Sequence, residues 1–219
     1  MKLVMKGDNI MRKLWIACLG VLMILGLVGC GTESGKTAEK AAPAPVQTTA
    51  QADSKAPAAK GKILVAYFSA TGNTRTLAEN AAKALNADLY EIRPEVPYSK
   101  EDLNYNDEST RATVEQKNDS ARPKLADKNA PIADYDTIVL AYPIWWGQAP
   151  RIMDTFVESY DFTGKKMTAI CTSGGSDIGT SADYLQKLTK GKAEWKAGKL
   201  FSPQAKAEDI KSWFNGLGL

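Results

Sequence analysis

Histidine is absent from this chain of 219 residues, and cysteine is rare, with three residues in all. Without an imidazole, the Ser-His-Asp and Cys-His catalytic arrangements, the common zinc sites and a histidine general base are all excluded. Two of the cysteines lie within the first thirty residues, which leaves Cys171 alone in the remainder. A single cysteine cannot form an internal disulfide, so this part of the chain must be stabilised by its core. We expect Cys171 to be buried in a strand and unreactive.

A long membrane-spanning run is also lacking. The apolar segment near the start, residues 14–29, has sixteen residues and no charge, whereas a comfortable bilayer span needs roughly 20. A basic segment of thirteen residues precedes it. A basic start followed by a short apolar core is typical of an export signal.

This apolar segment ends in Leu27-Val28-Gly29-Cys30, which resembles the lipobox of bacterial lipoproteins. The resemblance implies that residues 1–29 are a lipoprotein signal peptide and that Cys30 carries a diacylglyceryl group as the first mature residue. An uncleaved membrane anchor is the alternative. Both interpretations predict that the remainder is anchored to the cell membrane on its extracytoplasmic face.

Large apolar side chains are scarce in residues 30–60, which are rich in Ala, Pro, Thr and Lys. A segment of this composition cannot bury enough surface to become ordered, so we expect a disordered linker after the lipidated cysteine. The globular domain is then predicted to cover residues 61–219. This domain has 20 Lys and Arg against 21 Asp and Glu, whereas the whole chain has a net charge of +3. A nearly neutral domain predicts no nucleic-acid partner.

Strand and helix patterns alternate along the domain. Continuous apolar runs predict buried strands over residues 62–69, 136–143 and 165–173, with weaker strands over 88–94 and 194–201. Helical spacing of apolar residues predicts helices over 74–86, 149–160, 181–190 and 203–214. This order predicts an α/β fold, a doubly wound parallel sheet with helices on both faces. Residues 96–135 are predicted to be a long surface excursion with few apolar residues, in which 106–117 could form one helix.

Three unusual loops follow three of the predicted strands, and ligands bind at the carboxyl ends of the strands in such sheets. The first loop contains Ser69, Thr71, Gly72, Asn73 and Thr74 directly before a helix. Backbone amides at a helix start favour an anion, and these side chains add neutral donors. The loop lacks both the Walker lysine and the G-x-G-x-x-G pattern. The sequence therefore predicts a phosphate monoester site, with simple helix capping by Thr or Asn as the alternative.

The second loop contains Pro143, Ile144, Trp145, Trp146 and Gly147. Two adjacent tryptophans after a buried strand cannot both point easily into the core, and a planar ligand stacked on an indole would account for one of them. The alternative is a core tryptophan with a partly exposed neighbour. The sequence leaves open which tryptophan would stack.

The third loop contains Thr172, Ser173, Gly174, Gly175 and Ser176. Its glycines allow backbone N–H and C=O groups to approach the edge of a heterocycle closely. A flexible surface loop is the alternative interpretation, because glycine is common in turns.

Taken together, the three loops resemble those of the flavodoxin family. The first loop is similar to the FMN phosphate loop of that family, which uses neither a metal nor a basic side chain. The stretches YPIWWG and CTSGGS resemble the two loops that enclose the isoalloxazine ring in a branch of flavodoxin-like proteins. The resemblance covers residue 62 to about 217. It implies a five-stranded sheet in the order 2-1-3-4-5, with noncovalently bound FMN as the cofactor.

The predicted function is that of a membrane-tethered, extracytoplasmic protein that transfers electrons through FMN to an unidentified redox partner. Two features differ from the carriers of the family, which are usually acidic and cytoplasmic, whereas this domain is nearly neutral and follows an export signal. One alternative is an FMN-dependent NAD(P)H or quinone oxidoreductase with its own substrate. A second alternative is a binding module for a phosphorylated ligand without a redox role.

Overall fold

The computed structural model of the protein describes residues 61–219. The predicted signal peptide, the predicted lipidation site at Cys30 and the predicted linker all lie outside the described residues. Within residues 61–219, no helix has the length and apolar character that a membrane crossing requires.

The domain is built on one parallel sheet. Its strands are β1 (Ile63–Tyr67), β2 (Asp88–Glu91), β3 (Thr137–Pro143), β4 (Lys166–Thr172), β5 (Glu194–Trp195) and β6 (Lys199–Leu200). The strand order is β2-β1-β3-β4-β5, and β6 also pairs with β4. This confirms the predicted strand order 2-1-3-4-5. The chain passes from β1 to β2 on one side of β1 and then to β3 on the other side, so the carboxyl ends of β1 and β3 lie at a topological switch point.

Helices cover both faces of the sheet, as the alternating pattern predicts. They are α1 (Asn73–Leu85), α2 (Arg111–Lys117), α3 (Arg151–Ser159), α4 (Ser181–Leu188) and α5 (Ala207–Gly216). On one face, α1 and α5 pack on Val65 and Val139, and on the other face α3 and α4 pack on Leu64 and Leu140. The central strands β1, β3 and β4 are therefore buried from both sides, which explains their continuous apolar runs.

The predicted fifth strand is interrupted and consists of the two short strands β5 and β6. Between them, the Thr168 hydroxyl donates to the Ala197 carbonyl at 2.8 Å in place of a backbone ladder bond. Gly198 passes so close to β4 that a Cβ there would lie 3.2 Å from the Ala169 carbonyl oxygen. The segment between β5 and β6 is therefore held against β4 by specific contacts.

The excursion over residues 96–135 is more ordered than the prediction of a surface loop with few apolar residues. A later part of the excursion pairs with the segment that follows β2. Ala126 N donates to Arg93 O and Glu95 N donates to Lys124 O, both at 2.8 Å. The helix α2 begins at Arg111, five residues later than the possible helix over 106–117. Six residues of the excursion are buried: Ala112, Thr113, Gln116, Leu125, Ala130 and Ile132.

Candidate functional site

The three predicted loops line one cavity of about 580 Å³ at the carboxyl ends of β1, β3 and β4. Thirteen of the fifteen predicted site residues are among those that line it; the exceptions are Gly72 and Gly147. Both glycines have positive φ angles, 94° and 77°. They therefore allow their loops to adopt a backbone conformation that other residues rarely reach. The predicted residues that line the cavity are Ser69, Thr71, Asn73, Thr74, Pro143, Ile144, Trp145, Trp146, Thr172, Ser173, Gly174, Gly175 and Ser176.

The first loop passes from β1 into α1 through a left-handed residue, Gly72. Gly72 is the N-cap residue of α1, and no side chain caps this helix. Helix capping by Thr or Asn, the alternative for this loop, is therefore not what the structure shows. The Ser69 hydroxyl instead accepts a hydrogen bond from Gly72 N at 3.1 Å, which fixes the loop just before the helix.

The first turn of α1 presents free backbone donors. In the part of the chain that the structure describes, the amides of Asn73, Thr74 and Arg75 donate no hydrogen bond, and the first bond of the helix is from Thr76 N to Gly72 O at 3.0 Å. The exposed side chains of Thr71 and Asn73 lie beside these amides along the chain. Unpaired amides at the positive end of a thirteen-residue helix are suited to bind an anion.

A buried hydrogen bond joins the first loop to the third. The hydroxyl groups of Thr74 and Thr172 lie 2.7 Å apart, and both residues line the cavity. Only one of the two hydroxyls can donate in this bond, so the proton of the other remains available to a ligand. The contact fixes the end of β4 against the start of α1.

The second loop is a tight hairpin turn. Trp145 N donates to Gln148 O at 2.9 Å, and Gln148 N donates to Trp145 O at 3.0 Å. The two central residues, Trp146 and Gly147, have φ angles of 47° and 77°, the left-handed conformation of a type I′ turn. Glycine adopts this conformation readily, but a bulky side chain such as that of Trp146 does so only with backbone strain.

The structure distinguishes the two tryptophans, which the sequence does not. Trp145 packs edge-on against Phe68 at 5.6 Å and against Tyr98 at 5.3 Å, measured between ring centroids. The neighbouring indole, Trp146, lines the cavity and is 45% exposed. Trp146 is therefore the indole that a planar ligand can cover.

The third loop is held by the side chain of its own Ser173. The Ser173 hydroxyl accepts hydrogen bonds from Gly175 N at 3.1 Å and from Ser176 N at 2.7 Å. Neither Gly174 nor Gly175 has a positive φ, and a Cβ added to either would meet no heavy atom of the described residues within 4 Å. Since neither backbone conformation nor packing requires glycine here, close approach of a ligand would account for both glycines.

Five lining residues were not predicted as site residues from the sequence: Ala70, Leu103, Tyr105, Ala112 and Pro203. Ala70 lies inside the first loop and has no polar group that would single it out. Three of the others come from the excursion, so they depend on how that segment folds over the strand ends. The only available signal was the length of the excursion, which allows it to cover a pocket.

Charged side chains are absent from the described lining of the cavity, which is apolar, aromatic, hydroxyl or amide throughout. Arg75, the nearest cation along the chain to the first loop, is paired with Glu91. Cys171 is buried as predicted, and burial raises the pKa of its thiol to about 12. Burial likewise raises the pKa of the Tyr142 phenol. The site therefore offers hydrogen bonds and ring contacts, with no thiolate and no acid–base pair.

Comparison with known proteins agrees with this geometry. A family model described as Flavodoxin matches residues 62–217, whereas no curated protein matches the chain. A crystallised flavoprotein from Bacteroides eggerthii is 41% identical, with 73% of this chain covering 99% of that one and a TM-score of 0.69. A flavoprotein from Bacteroides uniformis is 43% identical, and the match covers 71% of this chain and 98% of that one, with a TM-score of 0.66. A Lactobacillus acidophilus flavoprotein, crystallised with FMN, shares the fold at 17% identity, with coverage of 73% and 99% and a TM-score of 0.53.

Proposed function

The chain belongs to the flavodoxin family, and we propose that its domain binds FMN noncovalently and transfers electrons through it. The observation that carries the proposal is the cavity itself. It joins an uncapped helix start, an exposed indole and two glycines that the protein's own packing does not require.

The phosphate group of FMN would bind at the first loop. As a dianion, a phosphate monoester presents oxygen acceptors only, and the amides of Asn73, Thr74 and Arg75 are donors without partners in the described structure. The Thr71 hydroxyl and the Asn73 amide add further neutral donors. No basic side chain is needed, since the dipole of α1 and the converging N–H groups stabilise the charge.

The ring system would bind between the second and third loops. Trp146 offers an exposed aromatic face for the ring. Gly174 and Gly175 leave room for the ring edge to reach the backbone of the third loop. Pro143 and Ile144 contribute further surface at the end of β3.

FMN would supply the redox chemistry, and the protein would supply binding, orientation and the electrostatic surroundings. The absence of charged side chains from the described lining suits this division, because electron transfer needs no catalytic acid or base from the chain. Within residues 61–219, no cluster of three or more His, Cys, Asp or Glu residues could hold a metal. We therefore assign no catalytic residue and no metal to the site.

The bound ligand of natively purified protein tests the proposal. We expect the visible absorption of an oxidised flavin and release of FMN on denaturation. We also expect the melting temperature of the FMN-free protein to rise with FMN concentration, because a ligand that binds only the folded state stabilises it. A colourless protein whose melting temperature does not respond to FMN would contradict the proposal.

We further propose that the domain is tethered outside the cytoplasmic membrane through a lipid on Cys30. The support is the basic start, the short apolar segment and the lipobox-like Leu27-Val28-Gly29-Cys30. Replacing Cys30 by Ser should abolish incorporation of a labelled fatty acid. Cys18→Ser is the matched control and should leave labelling unchanged. Persistent labelling of the Cys30→Ser protein would contradict the tether.

An FMN-dependent oxidoreductase with its own substrate is the second candidate function. One observation favours it: Leu103, Tyr105 and Ala112 of the excursion also line the cavity. A pure electron carrier would turn over NAD(P)H or a quinone slowly by itself, whereas an oxidoreductase would do so rapidly. Steady-state turnover with a purified donor and acceptor separates the two functions.

A further inference from the structure

The excursion is built to place two side chains at the cavity. Within it, Ser99 N donates to Asp102 at 2.8 Å and Asp102 N donates to the Ser99 hydroxyl at 3.1 Å. Ala112 N then donates to Asp102 O at 3.2 Å, which closes the segment over 102–112. Leu103 and Tyr105 lie on this closed segment, and both line the cavity. Their position is therefore set by local hydrogen bonds.

An aromatic contact fastens the excursion to the second loop. Tyr98 packs edge-on against both Trp145 and Phe68. The Arg111 guanidinium lies 4.2 Å from the centre of the Tyr98 ring and donates to Val96 O at 2.7 Å. The start of α2 is thereby linked to the loop that carries Trp146.

Tyr105 is unusual among the aromatic residues of the domain, because its side chain is 72% exposed and yet lines a cavity. Leu103 and Ala112 of the excursion also line the cavity, and both side chains are apolar. Contact with another flat ring would remove the exposed phenol ring of Tyr105 from water and add an aromatic pair interaction.

The lack of charged side chains in the cavity lining restricts which flat ring could contact Tyr105. The domain has 41 charged residues, yet none lies among the eighteen that line the cavity. A dinucleotide such as NAD(P)H carries several phosphate charges, and the helix start that could bind one is assigned to the FMN phosphate. An anionic ring would have no cationic partner there, whereas a neutral ring carries no charge whose loss of hydration must be offset.

From these observations we propose that the excursion completes a second binding site, in which Tyr105 and Leu103 hold an uncharged quinone ring beside the FMN site. The proposal rests on the proposed function, because it places the quinone in a cavity that FMN partly fills. It assigns Tyr105 to binding of this second ligand and not to retention of FMN.

Calorimetric titration of the FMN-loaded, oxidised protein with 1,4-naphthoquinone tests the site, with 1,4-naphthoquinone-2-sulfonate as the charged control ligand. We expect the sulfonate to bind about tenfold more weakly or worse. Tyr105→Ser should weaken naphthoquinone binding about tenfold through loss of the ring contact, while FMN affinity changes less than about twofold. Tyr105→Phe should retain quinone affinity, since only the hydroxyl is lost. Val114→Ser, an exposed position on α2 away from the cavity, is the matched control and should change neither affinity.

Equal binding of the two quinones, or unchanged naphthoquinone binding by Tyr105→Ser, would overturn the proposal. A fall in FMN affinity as large as the fall in quinone affinity would also overturn it, because Tyr105 would then belong to the cofactor site. FMN binding is measured first and separately. A failure of the proposed function is thus distinguished from a failure of the second site alone.

Discussion

Replacing Trp146 by Asn is expected to make the FMN-free protein more stable and to weaken FMN binding by about 10- to 100-fold. The two effects have separate causes. Trp146 has a φ of 47° in a type I′ turn, and Asn-Gly is the sequence that such turns favour, so the strain of a bulky residue, about 1 kcal/mol, is relieved. The loss of one aromatic stacking partner costs about 1–3 kcal/mol of ligand binding.

Denaturant unfolding of the FMN-free protein and fluorescence titration with FMN measure these two effects. Trp146→Phe is the matched control, because it keeps an aromatic ring at the same turn position and should lose much less FMN affinity. An Asn variant that binds FMN as tightly as the original protein would show that the ring does not stack on Trp146.

Replacing Asp154 by Ala is expected to lower the free energy of unfolding by about 3–5 kcal/mol, because it removes the buried carboxylate that pairs with the Arg151 guanidinium and leaves only the exposed carboxylate of Asp119. Arg151 is 4% exposed and Asp154 is 0% exposed, and the two side chains lie 3.2 Å apart. Arg151 also donates to Gln116 O at 2.9 Å and pairs with Asp119, so it connects α3 to the excursion.

Glu158→Ala is the matched control in the same network. Glu158 pairs with Arg122 at 2.7 Å, but its side chain is 37% exposed, so its loss should cost about 1 kcal/mol or less. Denaturant unfolding of both variants checks the prediction. Equal losses for Asp154→Ala and Glu158→Ala would contradict the importance of the buried pair.

The pH dependence of the Asp154 contribution follows from its burial. Burial raises the pKa of this carboxyl from 3.8 to about 6, and the hydrogen bond from Arg151 opposes the shift. The folded state therefore binds more protons than the unfolded state between these two values. Protonation of the carboxyl therefore adds stability to the folded state, in full below pH 3.8, and this added stability is lost as pH rises through about 6. Relative to Asp154→Asn, the original protein should gain stability as pH falls from 7 to 4.

The sequence predicts the sheet well, because β1, β3 and β4 are buried on both faces and so appear as continuous apolar runs. It also predicts the three loops that surround the cavity, since their polar and glycine residues interrupt those runs abruptly at the strand ends. The family resemblance adds the strand order, which no local pattern contains.

The sequence predicts the excursion over residues 96–135 but not its internal order, because that order depends on contacts between distant residues. Arg151 and Gln116 meet only after the fold forms, and neither shows its partner in the sequence. The same holds for Tyr105, which is an ordinary exposed tyrosine until the loop places it at the cavity. The distinction between Trp145 and Trp146 likewise needs the turn geometry, which is set by φ angles at 146 and 147.

Calorimetric comparison of FMN with riboflavin tests whether neutral donors at the start of α1 hold the phosphate of FMN. Riboflavin has the same ring system but no phosphate group. Two or more hydrogen bonds to a charged oxygen, each worth about 1.5–3 kcal/mol, predict that FMN binds at least about 100-fold more tightly. Equal affinities for FMN and riboflavin would show that the start of α1 does not hold the phosphate.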